Sequence, residues 1–408
     1  MADPAGRLLT QPYTRGVPEQ SSGTPRGPTT HPEPTESCVT TAPVETTIDA
    51  SVLRGVDTLF DGYAQLTPTD TLLVIYTPDC REQASLLILA ARDRGVAATA
   101  LGMAPIEDPG FRERLKTALP SRDSLTGRLV IITIERDTMS HAPILRHEID
   151  VYSDQVLPIR IINGSWDFFR LALGPTPAEL SAINAGLLHR FLAAQHLAVT
   201  TSSGSELEIT LDNDRYRWLS NRGVWRPGHF VILPAGEVAT YPASVTGRLV
   251  ADGAFNVNKA VQLDARLGEN PLTVDLKDSN VVSYSCADEK IAKLFERCIQ
   301  VDHGNHVGEL GFGTNTGIDD FVGMNSHINE RHPGIHLGFG QHGQLLDVVD
   351  YYTDIHMDLI TTDVTIHIDG DSIPLTSRAL APSTLPHPTN VSDEDIDSNC
   401  CGARTPQL

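Results

Sequence analysis

Three short apolar runs restrict what the first half of this chain can become. TLLVIY (71–76), VAATAL (96–101) and RLVIITI (128–134) each have the length of a buried strand. Between the first two lies REQASLLILAARDRG (81–95), whose apolar residues recur at helical spacing up to Gly95. Strands and helices that alternate through short connections form parallel βαβ units, hence an open α/β sheet. Upstream, Val52, Leu53, Val56, Leu59, Phe60 and Tyr63 also keep a helical period. A long helix is expected over 177–196, opened by Pro177 and carrying Leu180, Ile183, Leu187, Leu188, Phe191 and Leu192. No GxGxxG or GxxxxGK[ST] pattern follows any of these strands, so nothing indicates a nucleotide site.

Near residue 200 the pattern turns towards β. LAVTTSS, ELEITLD, FVILPAGE, VTGRLVAD, PLTVDL and VVSYSC read as strands, interrupted by a helix over 287–301. The expected fold is an α/β N-terminal domain with an open, mostly parallel sheet (51–200), followed by a β-rich α+β domain (201–378). Residues 1–50 hold eight of the 27 prolines and few large apolar side chains, so they are expected to be a disordered leader. Residues 379–408 combine prolines with an acidic run and are expected to be a flexible tail.

Charge narrows the function. Asp and Glu total 52 against 31 Lys and Arg, a formal charge of −21, which argues against nucleic-acid or anionic-membrane partners. No apolar run reaches membrane-spanning length, and the first 50 residues lack the apolar stretch of a signal peptide. The six cysteines form no CxxC pair, which points to a reducing, cytoplasmic setting rather than a disulfide framework or zinc-thiolate site. Cys298, among Leu294, Phe295 and Val301, reads as a core residue. With no GxSxG or HExxH present, serine nucleophiles and that zinc motif have no support.

The chemistry concentrates between 303 and 370. Eight of the 15 histidines lie there: His303, His306, His327, His332, His336, His342, His356 and His367. Carboxylates accompany them, and histidine with carboxylate suits zinc, cobalt, manganese or iron. IHMDLI (355–360) reads as a strand that places His356 and Asp358 on one face, opposite Ile355, Met357 and Leu359. GIHLGFG (334–340) sets His336 among glycines, and HVGELGFGTN (306–315) does the same for Glu309. FVILPAGE (230–237) ends an apolar run in a turn that presents Glu237. A carboxylate in apolar company is costly unless a cation or donor compensates it.

In order and spacing these motifs resemble the M29 family of metallo-aminopeptidases (the aminopeptidase T and thermophilic leucyl aminopeptidase group), over about residues 55–375. The resemblance implies a C-terminal domain that binds two divalent ions, zinc or cobalt, through Glu237, Glu309, Glu330, His336, His356 and Asp358. It also implies hydrolysis at the N-terminal residue of a small peptide or amino-acid-derived substrate, in a homodimer. Glu237 or Glu309 would bridge the ions, and Glu309 or Glu330 would act as the catalytic, proton-carrying carboxylate. The family's tyrosine after the Gly-rich turn has no counterpart in QHGQLLD, where Tyr351 and Tyr352 are the nearest substitutes.

Dihydroxypyridine ring-cleaving dioxygenases are similar to this family and use one ferrous ion held by two histidines and an aspartate. His336, His356 and Asp358 could form such a set, which makes a mononuclear Fe(II) enzyme the alternative. A repurposed metal-binding protein of a specialised biosynthetic pathway is the third expectation.

Overall fold

The computed structural model describes residues 48–136 and 140–393. Most of the expected leader and residues 394–408 of the expected tail lie outside them. Among the described residues, no helix is long and apolar enough to cross a membrane.

The apolar runs form a five-stranded, all-parallel sheet in the order Ala97–Gly102, Thr71–Tyr76, Leu129–Ile134, Val156–Ile161, Val231–Leu233. Their near-continuous hydrophobicity follows from burial on both faces. Leu72 and Val74 join one core with Leu87 and Phe60, whereas Leu73 and Ile75 join another with Phe111 and Leu145. The expected N-terminal α/β architecture is thus present. Its last strand comes from beyond residue 200, so both halves of the chain build this sheet.

Two features of this region depart from the periodicity reading. The helix expected over 177–196 spans Pro177–Phe191, capped by Thr176 and Glu179, because the chain must turn before the strand His196–Thr201. The strand Val156–Ile161 was not evident from its sequence. It carries Pro158 and a fully buried Arg160, whose guanidinium pairs with Glu135.

The β-rich half consists of two seven-stranded sheets packed face to face. One is antiparallel throughout, from Asn280–Ser285 to Leu375–Thr376. The other runs Ala254–Val257, His356–Ile360, Gly334–Gly340, Val307–Gly313, Glu237–Thr240, Trp218–Asn221, Ser392–Asp393. Leu197, Val199 and Val245 from the first sheet share a core with Leu310, Leu337, Phe339 and Leu359 from the second. Within the segment expected as a flexible tail, Ser392–Asp393 pairs with Trp218–Asn221, and Asp393 forms ion pairs with Arg222 and Arg226.

Candidate metal centre

Period-two alternation decides which side chains leave the second sheet on the face away from the shared core. Phe255, Leu310, Phe312, Ile335, Leu337, Met357 and Leu359 point into the core. Asn256, Glu309, His336, His356 and Asp358 occupy the alternate positions, and all are buried. A register shift between Val307 and Glu309 lets Val307 stay in the core although it lies two residues before Glu309.

Two glycines open the space in which these groups meet. Gly311 pairs with His336, and a Cβ there would lie 2.0 Å from His336 Nε2. Gly338 pairs with Glu309 on one side and Asp358 on the other. A Cβ on Gly338 would meet Glu309 Cβ at 2.8 Å, Asp358 Oδ1 at 3.0 Å and His356 Cε1 at 3.0 Å. Gly311→Ala therefore has to displace the His336 ring. We expect it to cost about 1–3 kcal/mol as overpacking and to weaken metal binding while the fold persists. Zinc titration alongside thermal melting checks this, and unchanged zinc affinity would show that His336 is not held as described.

The PAGE turn is fixed by donors from four elements. Asn221 Nδ2 donates to the Pro234 carbonyl at 3.2 Å, and Arg331 Nε to the same oxygen at 3.2 Å. Asn315 Nδ2 donates to the Ala235 carbonyl at 2.8 Å, and Asn184 Nδ2 to the Glu237 carbonyl at 3.0 Å. These contacts set Glu237 opposite Gly313 in the neighbouring strand. Sequence reasoning gave no role to Asn184, Asn221 or Arg331. Asn315 was visible only as the last letter of its motif.

Two overlapping groups of candidate metal ligands result: Glu237, Glu309 and His336, and Glu309, His356 and Asp358, with ligand atoms in each group within 4.8 Å of one another. Glu309 belongs to both. Glu237 Oε1, His336 Nε2 and Asp358 Oδ1 are buried without a hydrogen-bond partner among the described residues, although His336 Nε2 lies 3.0 Å from Glu237 Oε1. Buried carboxylate and imidazole atoms left this way suit a divalent cation. His356 Nδ1 lies 2.7 Å from the Gln341 carbonyl, which directs Nε2 towards the ligand cluster.

Glu330 is the sequence-derived candidate outside both groups. It stands on the helix His327–Arg331, and its Oε1 accepts from Asn256 Nδ2 at 2.8 Å. Its Oε2 lies 3.6 Å from Arg331 Nη1 and 4.0 Å from His327 Nε2. Arg331 also pairs with Glu237, so one buried guanidinium serves two of the carboxylates. Tyr351 stacks on His303 and donates to the Gly340 carbonyl, and Tyr352 is exposed.

The charges are strongly coupled. Burial opposes ionisation of Glu330, but His327, Arg331 and His336 overcome it and hold the carboxyl at about 2. Burial likewise opposes ionisation of Glu309, and His336 and His356 keep it below the ordinary range. Asp358 is pushed up to about 6 by burial and by Glu330, against the pull of His356. Burial disfavours the imidazolium of His336, yet Glu237 and Glu309 raise it to about 10. An ion entering that group must displace this proton, so affinity rises with pH up to about 10. Near pH 7.5 we expect about one proton released from His336, against about 0.1 from an ordinary histidine. Calorimetry in buffers of different ionisation enthalpy reads the difference.

A cleft of ≈ 980 Å³ is lined by Glu330, His356 and Asp358 together with Asn163 and Asn256. Asp79, Arg136 and Asn163 bring to it the carboxyl ends of the parallel strands, the usual place for ligands in open α/β sheets. No tyrosine lines it among the described residues.

A family model described as "Crocagin biosynthetic protein CgnE/B" matches residues 238–369. No curated protein matches the chain by sequence. The fold is similar to that of 2,5-dihydroxypyridine dioxygenase from Pseudomonas putida KT2440, with a TM-score of 0.54 and 13% identity over 80% of this chain and 96% of that one. It is also similar to AmpT from Thermus thermophilus, with a TM-score of 0.50 and 12% identity over 81% and 98%. At these identities the likeness establishes the fold, including the M29-like architecture, and nothing finer.

Proposed function

We propose that this chain is a metal-dependent hydrolase of the aminopeptidase type, acting on the N-terminal residue of short peptides through two divalent ions, zinc or cobalt. The observation that carries this reading is the membership of Glu309 in both ligand groups, the position a bridging carboxylate needs. Glu237 and His336 would hold one ion, and His356 and Asp358 the other. When bound, such a pair supplies Lewis acidity and a water acidified towards neutral pH. Glu330, which lines the cleft outside both groups, would be the carboxylate that takes a proton from water and returns it to the leaving amine. Asn256 fixes one of its oxygens, and Arg331 and His327 flank the other.

A second reading has its own support. The matched family model covers Glu309, Glu330, His336, His356 and Asp358, and its description names a biosynthetic protein. With no tyrosine among the cleft's described lining residues, this favours a metal-binding protein of a specialised biosynthetic pathway that does not hydrolyse peptides. The iron alternative is supported by fold likeness, but its three ligands divide here: His336 falls in one group, His356 and Asp358 in the other.

Metal analysis of protein purified without added metal or chelator, with aminoacyl-anilide hydrolysis under added zinc or cobalt, separates these readings. Two ions per chain with hydrolysis is the expected result. Bound metal without turnover selects the second reading. One iron with oxygen uptake on a dihydroxypyridine selects the third.

A further inference from the structure

We propose that the cleft holds a carboxylate of its ligand through Arg136 and Arg297, with Lys259 adding positive charge beside them. The proposal rests on the hydrolase reading only in taking that ligand to be a short peptide. All three cations line the same cleft as Glu330, His356 and Asp358. They come from separate parts of the chain. Arg136 follows the strand Leu129–Ile134, Lys259 follows Ala254–Val257, and Arg297 lies on the helix Glu289–Ile299.

Several arginines elsewhere are paired with carboxylates, among them Arg94 with Asp57, Arg128 with Asp70, Arg160 with Glu135, Arg248 with Asp275 and Arg331 with Glu237. The guanidiniums of Arg136 and Arg297 make no ion pair or hydrogen bond among the described residues. Arg297 sits in the last turn of its helix, where a cation is favourable in any case. The backbone of Arg136 is fixed, since its carbonyl accepts from Asn163 Nδ2 at 2.8 Å, and Asn163 Oδ1 lies 3.0 Å from His327 Nδ1. Of the three carboxylates among the described lining residues, Glu330 already faces Arg331 and Asn256 and Asp358 belongs to a ligand group, which leaves Asp79 as the remaining anion for Arg136 and Arg297. A guanidinium matches a carboxylate in shape and charge, and such pairing discriminates strongly against the neutral amide.

The carboxylate could be a peptide C-terminus or an acidic side chain, and calorimetry on the zinc-loaded protein separates the two. The probes are leucyl-glycyl-glycine, its C-terminal amide, and leucyl-glutamyl-glycine amide, each made resistant to hydrolysis by reduction of the first peptide bond. We expect at least one carboxylate-bearing probe to bind about tenfold or more tighter than the neutral amide. Which one does so identifies the source. In the double variant Arg136→Gln, Arg297→Gln the preference should fall below about threefold. Equal binding of all three probes, binding of none, or a preference that survives in the variant overturns the proposal. Anilide hydrolysis by the unmodified protein is read separately. Turnover without carboxylate preference removes this site and leaves the hydrolase reading, and preference without turnover does the reverse.

Discussion

Replacing Glu309 by glutamine is expected to empty both metal positions at once. Each ligand group has three members, and Glu309 is the member they share. Glutamine keeps the shape but removes the charge, so one substitution takes an anion from both groups. Loss of an outer partner of a ligand typically weakens metal binding 10–100-fold, so loss of the shared ligand should cost at least about 100-fold for each ion. His356→Ala and Asp358→Ala should behave differently, each retaining the ion held by Glu237, Glu309 and His336. Metal analysis after gel filtration, with circular dichroism as the check on folding, reads both outcomes. Glu309→Gln protein that keeps two ions would remove the bridge from the account.

Glu135→Ala is expected to produce the largest loss of stability. Glu135 and Arg160 are both almost fully buried and pair with each other. Arg160 also donates to the Ser140 carbonyl at 3.1 Å, and Ser140 N donates to Glu135 Oε2 at 2.6 Å. Removing the carboxylate strands a guanidinium that burial already disfavours, with its proton affinity pushed down. Breaking a buried pair from one side costs about 3–5 kcal/mol. Urea unfolding of metal-free protein measures it, and a loss below about 1 kcal/mol would mean that Arg160 finds water or another partner.

The same pair explains why one central strand was hard to read. VLPIRI places a proline and an arginine in a run that the sheet buries on both faces. Burying Arg160 is tolerable only because Glu135, 25 positions earlier, is brought against it by the parallel pairing. Single-sequence periodicity carries no record of that compensation. The strand Val231–Leu233 is a related case: its apolar character was legible, but its membership of the parallel sheet depends on pairing with Val156–Ile161.

The site was more legible because alternation is a local rule. His356 and Asp358 share a face for the reason their spacing implied, and the glycines beside His336 and Glu309 mark where side chains crowd. Glu330 and Arg331 sit on a five-residue helix whose phase no sequence pattern sets, so the position of Glu330 outside both ligand groups and the pairing of Arg331 with Glu237 emerged only from the fold. The clamp on the PAGE turn draws on Asn184, Asn221, Asn315 and Arg331, which are far apart in sequence and individually unremarkable.

The central claim is that one carboxylate joins two metal positions on a single sheet face. Zinc content after equilibrium dialysis, measured by plasma mass spectrometry per mole of chain, tests it most directly. The account predicts saturation at two ions per chain, falling to one in Asp358→Ala and to none in Glu309→Gln. Saturation at one ion that survives the loss of Glu309, or no binding at all, would contradict it.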